Sequence, residues 1–186
     1  MIWTDEAAGS AVMLTHVANG RLTLERGPVD LLKVEHVMVV GHYGCGGVRV
    51  ALRGERVGLA DHWLGHVRDV AERHEARIRP LYHESHQLDR LCELNVVEQV
   101  VHVARTTIVE EAWRRGQPLA LHGFVYGLAD GILRDLGIEA AGFSTVAAVE
   151  KGRFNLKMKD VTFDLNEFKK DMDGTNAKLM GALNGR

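Results

Sequence analysis

Four consecutive apolar residues, Val37-Met38-Val39-Val40, follow a polar stretch and are closed by Gly41. A short apolar run bounded by a turn residue suits a strand buried on both faces, as in a parallel sheet. A second run, Leu119-Ala120-Leu121, continues through His122-Gly123-Phe124-Val125-Tyr126 and reads as another buried strand with its exit. Between them the spacing turns helical. Val48, Val50, Ala51 and Leu52 mark a helix start, and Trp63, Val67 and Val70 share one helical face. Leu91, Leu94, Val97, Val101, Ala104, Ile108 and Ala112 recur at helical spacing, which predicts one long amphipathic helix stopped by Gly116 and Pro118. Residues 30–34 read as a short helical piece and residues 73–87 as a polar connection. No strong element is expected before Val29, where Gly20, Gly27 and Pro28 punctuate a mixed stretch. The order of elements implies the α/β class: a parallel β-sheet core flanked by helices. One domain over residues 1–160 is expected, with residues 1–28 divergent. In the tail, residues 161–186, Phe163, Leu165, Phe168 and Met172 stand in a charged background, as in a docked helix or a loose terminus.

Composition narrows the function classes. The chain has 186 residues, 46% of them hydrophobic, enough for a sizeable core. No apolar run approaches the ~18 residues of a membrane span. The first fifteen residues carry Asp5 and Glu6 and no basic residue, so a secretory signal is not expected and the cytoplasm is. A net charge of −2 offers no basic footprint for nucleic acid. The two cysteines, Cys45 and Cys92, could pair, but in a cytosolic protein a cysteine is more often buried, metal-bound or catalytic.

The chemistry concentrates in one turn, Gly41-His42-Tyr43-Gly44-Cys45-Gly46-Gly47, at the carboxyl end of the first strand, where open α/β sheets place their sites. His42 and Cys45 offer an imidazole nitrogen and a thiolate, both good Zn²⁺ ligands. The glycines let the backbone turn tightly enough for residues three apart to face one ion. A buried histidine beside an inert thiol would give the same spacing.

The wider sequence closely resembles the β-class carbonic anhydrases. The zinc-binding segment of that family is similar to residues 34–48. Downstream, Gly58-Leu59, Trp63-Leu64 and His66-Val67-Arg68-Asp69 look like its next helices. Residues 88–100 match its long helix, and His122-Gly123-Phe124-Val125-Tyr126-Gly127 with Asp130-Gly131 matches the following strand and turn. Asn155-Leu156-Lys157 looks like its near-terminal segment. The resemblance implies an α/β fold with a parallel core and a dimer or higher homo-oligomer. It also implies Zn²⁺ held by two cysteines and one histidine, and reversible hydration of carbon dioxide to bicarbonate. His42 would be the imidazole ligand and Cys45 the second thiolate, with Gly46 and Gly47 as substrate-binding positions.

The chain departs from that pattern in one respect. Family members carry a Cys-x-Asp-x-Arg motif upstream, whose cysteine binds zinc and whose Asp–Arg pair attends the fourth position. Here no cysteine precedes Cys45, and Thr15-His16-Val17-Ala18-Asn19 resembles the segment that follows that motif. The motif is expected to be lost rather than mutated, leaving a sheet edge open. Asp5, Glu6 or His16 could supply a third ligand, and so could a partner chain. Cys92 is read as a non-ligand and Tyr126 as a residue packing at a strand end. His66, Arg68 and Asp69 read as a solvated helix face. His83 and His86 read as loop polarity, and Lys157, Lys159, Lys169 and Lys170 as surface charge. With one ligand missing, the catalytic residues are left unassigned. The alternative to an active carbonate dehydratase is a catalytically inactive scaffold or oligomerisation module.

Overall fold

The apolar run at residues 37–40 lies inside strand β3 (His36–His42), and the second run lies inside β4 (Ala120–Tyr126). The two strands are parallel and in register from His36 opposite Ala120 to His42 opposite Tyr126. The structure is a computed structural model that describes residues 2–4, 11–15, 29–30, 33–156 and 159–161. Its sheet has six strands in chain order: β1 (Ile2–Thr4), β2 (Ala11–Thr15), β3, β4, β5 (Leu133–Ala140) and β6 (Lys159–Val161). The centre, β2-β3-β4, is parallel as expected, while β1, β5 and β6 join antiparallel.

Two expectations about the N-terminus are corrected. Strands β1 and β2 exist where no strong element was read, because three- and five-residue strands carry too little pattern to register. The edge of β3 is also not open. β2 pairs with it in parallel from Ala11 opposite His36 to Thr15 opposite Val40, which satisfies the backbone groups an edge would expose.

Helix α1 (Gly46–Arg53) leaves the turn after β3, and α2 (Asp61–Arg73) buries Val67 and Val70 as the spacing predicted, but with Leu64 rather than Trp63, which is 47% exposed. The stretch read as a connection holds α3 (Glu75–Ile78) and the first turn of α4 (Glu84–Ala104). That turn is polar and exposed, so no apolar period announced it. Of the short helical piece expected over residues 30–34, Asp30 is helical, in a π-turn with Val29, and Leu31 and Leu32 lie outside the described residues. Lys33 adopts φ 55, which is not right-handed helix.

The long helix read over residues 91–112 is two helices, α4 and α5 (Thr107–Arg114). Thr106 makes the break: its hydroxyl donates to Val103 O at 2.7 Å and accepts from Val109 N, closing one helix and capping the next. Nor is α4 amphipathic where it matters. Every residue from Leu91 to Val101 is buried, because the helix runs through the middle of the domain. It lies on β3 and β4, with α2 and α6 (Phe143–Glu150) packed against it. Close approach is bought by glycine: a Cβ on Gly41 would sit 2.5 Å from Val96 Cγ2. Sheet, α4, α5 and α6 share one core, in which Val37, Val39, Leu121 and Val125 meet Val96, Val97 and Val100.

Strand β5 escaped the sequence reading because it is bulged. Its buried residues, Leu133, Leu136, Ile138 and Ala140, break the two-residue alternation between 133 and 136. Gly137 takes φ 66 there, its N–H held by Asp135 Oδ1 at 2.7 Å. The tail expected over residues 161–186 lies outside the described residues except for Val161, the last residue of β6.

Candidate metal site

The turn at the carboxyl end of β3 is fixed from three sides. Tyr43 N–H donates to Tyr126 O at 2.9 Å, extending the β3–β4 pairing past the strand end. Gly44 follows at φ 71, a left-handed conformation that a side chain would strain. Cys45 is the N-cap residue of α1, and its carbonyl accepts from Arg49 N at 3.1 Å. His42 and Cys45 thus stand at the two ends of one tight turn, both partly buried.

His42 Nδ1 lies 2.9 Å from Tyr43 O. A carbonyl only accepts, so Nδ1 carries the proton and Nε2 keeps its lone pair for a Lewis acid. A ring nitrogen anchored in this way is the usual support for a metal-ligating histidine. Cys45 places its sulfur at the amino end of α1. These two donors suit zinc. Among the described residues, no group of three His, Cys, Asp or Glu side chains could hold a metal ion, so a third ligand is not found there. Asp5, Glu6 and His16 lie outside the described residues.

Cys92 stands on α4 beneath the turn, 4% exposed and free. Burial pushes its thiol up to about 12; the nearby Cys45 sulfur adds to the rise and the Cys45 backbone N–H opposes it. Such a thiol is inert, and Cys92 joins no metal-binding group.

The sequence reading missed Tyr43 and Glu93. Tyr43 O–H donates to Glu93 Oε1 at 2.8 Å, and Glu93 is only 4% exposed. Burial raises the Glu93 carboxyl, while the Tyr43 hydrogen bond and Arg90 pull it down. Burial and the Glu93 charge both raise the Tyr43 phenol. Arg90 Nη1 stands 3.1 Å from Glu93 Oε2 as an ion pair, but out of hydrogen-bonding alignment. The available signal was a carboxylate in the otherwise apolar run Leu91-Cys92-Glu93-Leu94.

Tyr126 ends β4 opposite His42 and is 38% exposed. Its hydroxyl is 3.7 Å from the site a Gly131 Cβ would take. Gly46 opens onto free space, whereas a Cβ on Gly47 would lie 3.1 Å from Leu64 Cδ2 and 3.9 Å from Cys45 Sγ. His66 and Asp69 are exposed, as read, but Arg68 is partly buried and donates to Asp61 and to Glu55 O. His83 precedes α4 and His86 lies in its first turn, not in a loop, with rings 5.4 Å apart. Lys157, Lys169 and Lys170 lie outside the described residues, and of Lys159 only the backbone, in β6, is described. An open groove of about 660 Å³ is lined by Arg53, Arg68, Glu72, Glu75 and Arg79; neither His42 nor Cys45 lines it. No described helix is long and apolar enough to cross a membrane.

A sheet with a parallel centre, a glycine-rich turn bearing His and Cys at the end of β3, and a buried helix beneath it define an α/β architecture. Comparison with known proteins identifies the family. Residues 14–133 match the family described as carbonic anhydrase. A carbonic anhydrase of Emericella nidulans is 34% identical over 142 residues, covering 73% of this chain and 62% of that protein. The Coccomyxa β-carbonic anhydrase, solved in complex with acetazolamide, superposes with a TM-score of 0.59 at 32% identity, covering 69% of this chain and 61% of that one. The β-carbonic anhydrase CafA of Aspergillus fumigatus gives 0.57 at 32%, covering 71% and 62%. The chain belongs to the β-class carbonic anhydrase family. It spans about 60% of the length of these relatives.

Proposed function

We propose that this chain binds Zn²⁺ through His42 Nε2 and Cys45 Sγ and takes part in the reversible hydration of carbon dioxide to bicarbonate. The observation that carries the reading is the His42 Nδ1 to Tyr43 O hydrogen bond, which leaves Nε2 its lone pair, in the same tight turn that places Cys45 at the amino end of α1. A zinc ion there would supply a water acidic enough to act as a hydroxide nucleophile near neutral pH. The chain's own contribution is to orient the imidazole, to place the Cys45 thiol at the amino end of α1 and to leave open space at Gly46 for a small substrate, with Gly47 beside it. The third ligand comes from outside the described residues or from a second copy. The carboxyl end of β2 lies at the same end of the sheet as His42, and His16 follows it in sequence.

A homo-oligomer fits two observations. The sheet face opposite α4 carries Met38, His122 and Phe124, partly buried, and α4, α5 and α6 all pack within the core on the other face. Structures of β-carbonic anhydrases from Sordaria macrospora, titled as tetrameric, superpose with a TM-score of 0.56 at 29% identity. The free thiols Cys45 and Cys92 suit a reducing compartment, consistent with the cytoplasm.

A second reading is favoured by the absence of a third ligand among the described residues: a scaffold that retains the fold and self-association without catalysis. Zinc per chain, measured on protein purified without added metal, separates the two. A ratio near one that falls in His42→Ala and Cys45→Ser, with carbon dioxide hydration above background in stopped flow, supports the enzyme. A ratio near zero in a stable oligomer supports the scaffold.

A further inference from the structure

The backbone of Tyr43 does two jobs while its side chain does a third. Its carbonyl accepts from His42 Nδ1 at 2.9 Å, its N–H donates to Tyr126 O at 2.9 Å, and its hydroxyl donates to Glu93 Oε1 at 2.8 Å. The next residue is Gly44 in a left-handed conformation, so chain stiffness on that side does not hold the Tyr43 peptide. What fixes the carbonyl that orients His42 is the β4 backbone at one end and α4 at the other. The α4 anchor is Glu93, 4% exposed, on a helix buried continuously from Leu91 to Val101. A carboxylate in an apolar helix core is costly unless it is paired; Arg90 faces Glu93 Oε2 as an ion pair, and the hydrogen bond to Oε1 comes from Tyr43, the residue that adjoins His42.

We propose that Glu93 is a positioning residue for His42: the Glu93–Tyr43 hydrogen bond holds the Tyr43 carbonyl where it keeps the proton on His42 Nδ1 and presents Nε2 outward. The part of this that concerns metal rests on the function proposed above; the part that concerns the tautomer does not. The linkage runs from α4 through a side chain to a backbone carbonyl and then to the imidazole. Glu93 acts without touching either His42 or a bound ion.

The test uses the full chain, labelled with ¹⁵N and free of metal. Long-range ¹H–¹⁵N spectra report the tautomer of each histidine ring, and the His42 signals are those missing in His42→Gln. Tyr43→Phe keeps the ring and removes the donor. Glu93→Met removes the acceptor with little change of volume, and Glu93→Gln keeps an acceptor. Val146→Ala, in the core on α6, is the control for general loosening. The expected result is a Nδ1–H ring in the wild type, Glu93→Gln and Val146→Ala, with a growing Nε2–H population in Tyr43→Phe and Glu93→Met. Competition with a chromophoric chelator should then show zinc bound at least about tenfold more weakly in those two variants. Tautomer populations unchanged in Tyr43→Phe, or shifted equally in Val146→Ala, overturn the proposal. If the wild type binds no zinc, the proposed function fails, and the metal-free spectra still decide the positioning role.

Discussion

Gly41 is the residue on which the packing under the candidate site turns, and Gly41→Ala puts a number on it. The added Cβ would lie 2.5 Å from Val96 Cγ2, against the ~3.5–4.0 Å of a comfortable carbon–carbon contact, an overlap of about 1 Å. Val96 is 1% exposed and stiff about χ1 in its helix, so it cannot swing aside. Either α4 lifts from β3 or valine leaves its rotamer, at about 1–3 kcal/mol. Val96→Ala alone loses two methyl groups and leaves a void, at about 1.5–3 kcal/mol. In the double variant the new methyl meets the vacated space, so the two losses should fall short of their sum by about 1–2 kcal/mol. Urea unfolding followed by far-ultraviolet circular dichroism reads all four proteins. With a slope of about 2–3 kcal/mol/M, Gly41→Ala should lower the midpoint by about 0.5–1 M. A midpoint unmoved in Gly41→Ala, or strict additivity in the double variant, would refute the reasoning.

Glu98 predicts a pH dependence. Burial pushes its carboxyl up, but the His74 hydrogen bond and the charges of Arg73 and His74 outweigh burial and hold it below the ordinary range. A depressed carboxyl contributes stability that is present above its unfolded value, about 4.3, and is lost as pH falls through the lower folded value. Urea midpoints should therefore drop below about pH 4.3 more steeply in the wild type than in Glu98→Gln. Thiol labelling should separate the cysteines: with Cys92 buried and its thiol pushed up to about 12, a thiol-exchange reagent at pH 8 should modify Cys45 rapidly and Cys92 only on unfolding, and Cys45→Ser should abolish the fast phase. Gly44→Val forces a β-branched residue to φ 71, at about 1–3 kcal/mol, and should weaken zinc binding more than it lowers the thermal midpoint, because the strain falls between the two ligands.

What the sequence disclosed follows from what was regular in it. β3 and β4 were legible as apolar runs, and the face of α2 was legible in part: Val67 and Val70 are buried as read, but Trp63 is exposed and Leu64 takes its place in the core. The turn that carries His42 and Cys45 was legible because a glycine-rich turn at a strand's carboxyl end is itself a local pattern. β5 was hidden by its own bulge at Gly137, which shifts the buried face by one residue. The break between α4 and α5 was hidden because Thr106 acts through a cap bond, while the apolar spacing runs across it undisturbed. Glu93 was passed over because its partner lies fifty residues away along the chain, a contact the fold alone creates.

The strands stand in the sheet in the order in which they occur in the chain. Among the described residues no strand is threaded between two earlier ones, so under a mechanical load the assembly behaves as a zipper rather than a lock. A pull applied through the first residues meets β1, then β2, each at the outer margin at the moment of release. The strand that carries His42 feels the force only after both have gone. The candidate metal turn is thus insulated from tension at that margin, and two sacrificial strands set the order of yielding.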